Sequence, residues 1–243
     1  MKENPLNQQR VTKADLISGK YLETLSKDYI KNASFVPFFG CFAQQNPLAY
    51  CAFNKLFLSF NFKNIIEIGT FDGGMSVMFS LFVHNSNAGT RESEGDCDNN
   101  YQFKSGKFER VPKNFHTFDI KAHNPHAIDT IELLGGHFHK EDCFENEQKI
   151  ADIIKEDGRT LLLCDGGDKK REINTFSKYL KNGDVIMGHD YFESQKELET
   201  YKDEWSHPQL CYEDIKDCFD KEGITSIHKS VFQPAYWLCG IKL

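Results

Sequence analysis

Asp165 closes the apolar run 161–164, and Asp190 follows the run 185–188 with His189 between them. Carboxylates at the ends of neighbouring strands put two hard oxygen donors within reach of one ion. Such a pair suits Mg²⁺, which takes one or two protein carboxylates and completes its shell from substrate and water. A metal held there would bind an acceptor hydroxyl, lower its pKa and orient it. His189 is either a third ligand or a general base, because an imidazole titrates near neutrality. The bland alternative is that His189 packs and Asp165 caps a helix beginning near Asp168.

A second group lies at 64–74, Asn-Ile-Ile-Glu-Ile-Gly-Thr-Phe-Asp-Gly-Gly. Ile65, Ile66 and Ile68 fit a strand covered on both faces, and Glu67 puts a carboxylate near its C-terminal end. Gly69, Gly73 and Gly74 let the backbone turn tightly beside a ligand, which in open α/β sheets sits outside the carboxyl ends of the strands. The spacing is Gly-x-x-x-Gly-Gly, whereas a dinucleotide site has Gly-x-Gly-x-x-Gly. Phe71 stands at the second glycine of that pattern and argues against close approach of a pyrophosphate. Asp72, at the mouth of the next helix, repels phosphate and tolerates a cation. S-adenosylmethionine carries a sulfonium and an ammonium and no phosphate. Taken alone, the segment is also compatible with ordinary turn glycines.

Two further strand ends carry polar groups. Asp119 stands where an acid hydrogen-bonds the ribose hydroxyls of a nucleoside, a feature shared with NAD enzymes. Asp142, followed by Cys143 and Phe144, is placed to meet an adenine, although an ordinary turn aspartate fits equally well.

The frame that must position these groups is legible from residue 61 onward. Apolar runs alternate with amphipathic stretches, the pattern of a doubly wound, Rossmann-like α/β sheet. Strands are expected at 64–68, 116–120, 137–140, 160–164 and 184–188, with helices at 75–83, 125–134, 146–156, 169–180 and 213–221. The segments 224–230 and 235–242 read as strands joined through Gln233 and Pro234, a connection too short for a parallel crossover. Upstream, 12–33 reads as one or two amphipathic helices and 48–60 as a more apolar helical candidate, so that 1–60 is a helical segment packing on a domain at 61–243. The stretch 85–114, rich in Asn, Ser and Gly, reads as a polar insertion at the end of the sheet away from the ligand.

A length of 243 residues accommodates one large α/β domain with an appendage, and a homo-oligomer is compatible with it. The net charge of −7 leaves no global basic footprint for nucleic acid. Lys169, Lys170 and Arg171, flanked by Asp168 and Glu172, read as a solvated helix face. The eight cysteines include no Cys-x-x-Cys pair and no zinc spacing. Cys164 and Cys239 lie in apolar runs and read as small buried hydrophobes, so a reduced cytoplasmic protein is expected. The N-terminus has no signal-peptide pattern and no apolar run is long enough to span a bilayer, so no membrane partner is expected.

Glu-Ile-Gly-Thr-Phe-Asp-Gly-Gly at 67–74, Phe118 with Asp119, Cys-Asp-Gly-Gly-Asp-Lys-Lys at 164–170, Leu-Lys-Asn-Gly-Asp at 180–184 and Gly-His-Asp-Tyr at 188–191 together carry a family resemblance. They resemble the class I S-adenosylmethionine-dependent methyltransferases over residues 60–243. The resemblance is to the small-molecule and sugar O-methyltransferases of the cephalosporin-biosynthesis and macrolide-sugar type, relatives of catechol O-methyltransferase. It implies a seven-stranded sheet whose last strand is antiparallel, and methyl transfer to a hydroxyl of a small molecule or sugar. Carried onto this sequence, Glu67, Gly69, Thr70, Phe71, Asp72 and Gly73 would surround the methionine and sugar of the cofactor. Asp119 would hold the ribose, Asp142 and Cys143 the adenine, and Asp165 the edge nearest the methyl. Asp165, His189 and Asp190 would be Mg²⁺ ligands, and Asp165, Lys169 and His189 the catalytic groups. The sequence departs from the catechol enzymes at Tyr191, where they have Asn, and at Asp168, where their lysine base falls one residue before Lys169. A histidine that the sugar branch often has near that point is missing.

Two other classes compete. A nucleotide-dependent oxidoreductase or epimerase would share Asp119 but is opposed by Phe71 and by the antiparallel C-terminal pair. A non-catalytic binding protein on the same fold would account for the departures near Asp168.

Overall fold

Asn46 and Pro47 start the first helix: the Asn46 side chain accepts the Leu48 amide, and Pro47 takes a position where no amide is needed. In this computed structural model, which describes residues 36–38, 41–88, 114–201 and 210–243, that helix is α1 (Pro47–Ser59). It follows an antiparallel hairpin of β1 (Val36–Phe38) and β2 (Cys41–Ala43). The segment expected to be helical over 1–60 is thus a hairpin at 36–43 and a helix at 47–59. The helices expected within 12–33 lie outside the described residues, as do residues 89–113 of the 85–114 insertion.

Strand and helix then alternate. β3 (Phe62–Ile68) leads to α2 (Gly74–Ala88), β4 (Asn114–Asp119) to α3 (Pro125–Leu133), and β5 (His137–Lys140) to α4 (Glu147–Lys155). β6 (Arg159–Cys164) leads to α5 (Lys169–Phe176) and a 3-10 turn, and then to β7 (Val185–His189). A short parallel pair, β8 (Tyr191–Phe192) and β9 (Leu210–Cys211), flanks α6 (Gln195–Tyr201), none of which the sequence pattern announces. α7 (Tyr212–Glu222), β10 (Ile224–Ser226), α8 (Lys229–Phe232) and β11 (Trp237–Lys242) complete the chain. The expected strand over 224–230 stops at Ser226, because His228 takes a left-handed conformation and opens a helical turn.

The sheet order is β10-β11-β7-β6-β3-β4-β5. β11 is antiparallel to both β7 and β10, and the remaining pairings are parallel. Central strands are covered on both faces, which is why they read as unbroken apolar runs. Ile65, Leu161, Leu163, Val185 and Met187 face the layer of α1, α2 and α3, whereas Ile66, Leu162, Cys164 and Ile186 face α4, α5 and α7. Cys164 and Cys239 are buried free thiols, as their apolar context predicts. No helix among the described residues is long and apolar enough to cross a membrane.

α1 is locked to the far edge of the sheet by aromatic packing. The Phe53 ring meets Phe79, Phe232 and Trp237 edge-on at 5.2, 5.5 and 5.3 Å. Truncating such a ring costs about 3–5 kcal/mol. This contact fixes Trp237, whose indole bears on the site described next.

One polar string crosses the apolar layer. Thr70 Oγ1 lies 2.6 Å from Thr117 Oγ1, which donates to Glu67 Oε2 at 2.7 Å, and Ser76 Oγ donates to the same oxygen. It ties the loop after β3 to β4 and to the start of α2. Burial pushes the Glu67 carboxyl up to about 8, against the lowering effect of the two hydroxyls. A raised acid binds its proton more tightly folded than unfolded, so stability falls as pH climbs from the ordinary range near 4.5 through about 8. Glu67→Gln is therefore expected to lose less thermal stability than wild type between pH 5 and 8. Melting temperatures of the two proteins across that window that stay parallel would refute this.

Candidate functional site

The glycine turn is built by close backbone approaches. A β-carbon on Gly69 would stand 2.3 Å from the Asp165 carbonyl oxygen, and the residue has φ +95°, so only glycine fits where β3 and β6 converge. Gly74 opens α2 against the hairpin, where a β-carbon would lie 2.4 Å from the Ala43 amide nitrogen. Asp72 fastens that hairpin: its Oδ2 accepts the Phe42 amide at 2.7 Å and its Oδ1 the Asn124 side chain at 3.3 Å. Thus β2 and the residues that follow it, Phe42 to Asn46, roof the site that the sequence located only at the strand ends.

Beneath this roof lies a cavity of about 780 Å³ at the carboxyl ends of β3, β4, β6 and β7, within the size range of small-ligand sites. All the residues predicted to bind the cofactor line it. Phe71, half-exposed at φ 47°, forms one lip with its ring 5.5 Å from that of His123. Asp119 holds this lip from below: Oδ2 accepts the Phe71 amide at 2.9 Å and Oδ1 the Lys121 amide at 3.0 Å. Asp142 is a turn residue as well as a wall, since Oδ1 accepts the Phe144 amide at 2.7 Å. Cys143 is buried, and burial pushes its thiol up to about 12, so it presents a neutral surface. Arg171 stacks over Phe144 at 3.7 Å. Glu67 and Thr70 reach the cavity wall from the polar string, Glu67 accepting from Ser76 and Thr117 and Thr70 Oγ1 pairing with Thr117 Oγ1.

The walls hold nine acidic residues against two lysines, Lys121 and Lys169. That balance opposes a pyrophosphate and favours a cationic ligand. Some of it is muted, because burial raises Glu172 to about 7 even though the Asp168 and Gly166 amides and Lys169 pull the other way.

At one end of the cavity Asp165, His189 and Asp190 converge, with one ligand atom from each within 4.8 Å of the others. Asp165 Oδ1 lies 2.9 Å from His189 Nδ1, and Asp190 Oδ1 lies 3.6 Å from it. The His189 ring stacks on Trp237 at 4.6 Å. Burial alone would lower the His189 pKa, but the carboxylates of Asp165 and Asp190 and the hydrogen bond from Asp165 outweigh it, and the net shift is upward. Asp190 sits at φ 54°, a strained conformation for a residue with a side chain. It is held by two backbone bonds around it, Leu210 amide to Asp190 carbonyl at 3.0 Å and Tyr191 amide to Tyr236 carbonyl at 2.9 Å. Asp165 does not cap α5: Asp168 does, accepting the Arg171 amide at 3.0 Å.

Lys169 corrects the expectation of a solvated basic face. It is 5% exposed, and its Nζ lies 3.1 Å from Asp190 Oδ2, 3.7 Å from Asp165 Oδ1 and 3.1 Å from the Gly166 carbonyl oxygen. Burial opposes its charge, but the two carboxylates prevail and raise its pKa, so it is an ammonium and not a base. Lys170 does face outward, to Asp214 at 2.9 Å. The three converging donors have the spacing for a divalent ion. They do not fit Mg²⁺ in charge, because the ammonium already faces both acids, and an imidazole is a poor match for an ion that prefers oxygen.

Two contributors escaped the sequence. Gln45, just beyond the hairpin, accepts the Trp237 indole at 2.9 Å and donates to Asp165 Oδ2 at 3.3 Å. Glu172 accepts the Gly166 and Asp168 amides at 3.2 and 3.1 Å and so shapes the loop after β6. A glutamine ahead of a capped helix carries no signal of its own; Glu172 was hidden in a charged run.

No protein-family model and no curated protein matches the chain. Solved structures do. The Mg-SAM form of CmcI aligns with a TM-score of 0.53 at 10% identity, covering 86% of this chain and 76% of that one. The apo form gives 0.51 at 12% identity over 99% of each chain. An O-methyltransferase from Bacillus cereus in complex with SAH gives 0.45 at 12% identity over 97% of this chain and 94% of that one. For the two forms of CmcI the likeness, at such identities, is one of fold, and it agrees with the sheet order and the antiparallel last strand. The chain therefore has the class I methyltransferase fold.

Proposed function

We propose that this protein transfers a methyl group from S-adenosylmethionine to a hydroxyl of a small molecule or sugar. The observation that carries the proposal is the acid-walled cavity at the strand ends, bordered by a glycine turn whose Phe71 and Asp72 oppose a pyrophosphate and ending in a paired imidazole and carboxylate. In this reading Asp119 and the 142–144 turn take the nucleoside, and Gly69 to Gly73 border the methionine part. When bound, the cofactor supplies a methyl on a sulfonium, already activated for displacement.

The chain's own residues then have three tasks. His189 accepts the hydroxyl proton. Asp165, at 2.9 Å from Nδ1, fixes the ring so that its other nitrogen serves as the base, and favours the imidazolium that results. Trp237 and Gln45 hold the two in register, and positioning of this kind supplies much of the rate where the leaving group needs no help. Mg²⁺ assistance at Asp165, His189 and Asp190 has spacing in its favour and the Lys169 ammonium against it. The concave, acid-lined cavity and the net negative charge support a small acceptor over a nucleic acid.

Calorimetry should show S-adenosylmethionine or its demethylated product binding, with NADH showing none in a fluorescence titration; the reverse pattern would transfer the site to the oxidoreductases. Asp119→Ala is expected to weaken cofactor binding by about ten- to a hundredfold, the worth of a hydrogen bond to a charged group. On whichever member of a panel of hydroxylated small molecules turns over, His189→Gln should lower kcat by about 10²–10⁴ while cofactor affinity stays nearly constant. The base form of His189 grows as pH rises through a pKa above the ordinary 6.5, so kcat should rise with pH through a midpoint above that value. Asp165→Asn should bring the midpoint down, and a midpoint that ignores this substitution would remove His189 from the role.

A further inference from the structure

Asp165 and Asp190 hold four carboxylate oxygens at the end of the cavity, and each faces a partner within the protein. Lys169 Nζ lies 3.1 Å from Asp190 Oδ2 and 3.7 Å from Asp165 Oδ1. His189 Nδ1 is 3.6 Å from Asp190 Oδ1 and 2.9 Å from Asp165 Oδ1, and Gln45 Nε2 is 3.3 Å from Asp165 Oδ2. The ammonium is buried, and a buried charge persists only where it is paired and hydrogen-bonded. Here the Gly166 carbonyl at 3.1 Å supplies a further acceptor, so the lysine is a seated part of the site.

We propose that Lys169 is the built-in cation of the Asp165 and Asp190 pair, standing in place of a divalent metal and keeping one out. Two carboxylates against one ammonium leave a single negative charge. Adding a divalent ion would reverse that sign beside a cavity built for a cationic ligand, and would require Lys169 to withdraw from a buried seat. Removing the ammonium has the opposite effect: it leaves the buried Asp190, the half-buried Asp165 and an imidazole with ligand atoms within 4.8 Å of one another, which is a metal site. Lys169 is accordingly a positioning residue, neutralising the acids so that Asp165 stays free to orient His189. The proposal concerns how the hydroxyl end of the methyl-transfer site is charged, and rests on that reading only for its purpose; its geometry is independent of the cofactor.

The test uses Mn²⁺ alone as the probe, titrated into the full chain in metal-free buffer and followed by the electron paramagnetic resonance signal of the free ion. Lys169→Met is expected to quench one equivalent with an affinity about ten- to a hundredfold tighter than wild type, the effect of removing a like charge a few ångströms away. The added substitution Asp190→Asn should abolish the gain. Wild type binding one equivalent as tightly as Lys169→Met would overturn the proposal, and so would a folded Lys169→Met with no gain. Lys169→Gln substitutes if the methionine variant does not fold. Should neither fold, the wild-type titration decides: one equivalent bound at micromolar Mn²⁺ overturns the assignment, and none bound up to millimolar supports it. Calorimetry of S-adenosylmethionine on the same samples reports separately on the methyl-donor reading, so either can fail while the other stands.

Discussion

Two carboxylates at the ends of adjacent strands, Asp190 buried and Asp165 half-buried, govern the arrangement around them. Removing an ion from water is costly, and the cost is met only by paired charge and well-formed hydrogen bonds. Asp165 and Asp190 therefore require what surrounds them: the inward turn of Lys169, the imidazole of His189, the amide of Gln45 and the strained backbone of Asp190. The same grouping that satisfies the acids yields an imidazole held in one orientation. Structure and chemistry here share one electrostatic origin.

The second constraint is steric and lies at the glycine turn. β3 and β6 approach so closely that Gly69 rests on the Asp165 backbone, which links the glycine turn to the acid pair directly. On the other side Gly74 receives the hairpin, and Asp72 fastens it through the Phe42 amide. Gln45 extends from that hairpin to Asp165 and Trp237, and Phe53 on α1 packs against the same indole. Residues 42–53 are thereby part of the site: Phe42 to Asn46 line the cavity, and Gln45 and Phe53 steady the Asp165 and Trp237 end.

The buried acids divide by purpose. Glu67 and Glu172 are pushed up by burial and serve loops, Glu67 through hydroxyls and Glu172 through two backbone amides. Asp119 and Asp142 brace turns with the oxygens a nucleoside would share. A cavity wall of this kind is both scaffold and ligand surface, since a carboxylate has lone pairs enough for a backbone amide and for a guest.

The sequence by itself determined the doubly wound sheet, the strand ends that form the site, and the antiparallel last strand. Apolar runs, capping residues such as Asn124 with Pro125, and glycine stops depend on neighbours a few residues away and are legible locally. It also led to the expectation that Asp165 and Asp190 come within reach of one another, because neighbouring strands carry their last residues together; the convergence with His189 came from the fold. What only the tertiary structure decided was which charges face one another. Lys169, Lys170 and Arg171 are equivalent as a run of letters, yet one turns into the acid pair, one meets Asp214 and one covers Phe144. That choice comes from the long-range pairing of charge with the buried Asp190 and the half-buried Asp165, as does the recruitment of Gln45 from 120 positions away. Local sequence sets where a carboxylate ends a strand; the folded environment sets which cation answers it.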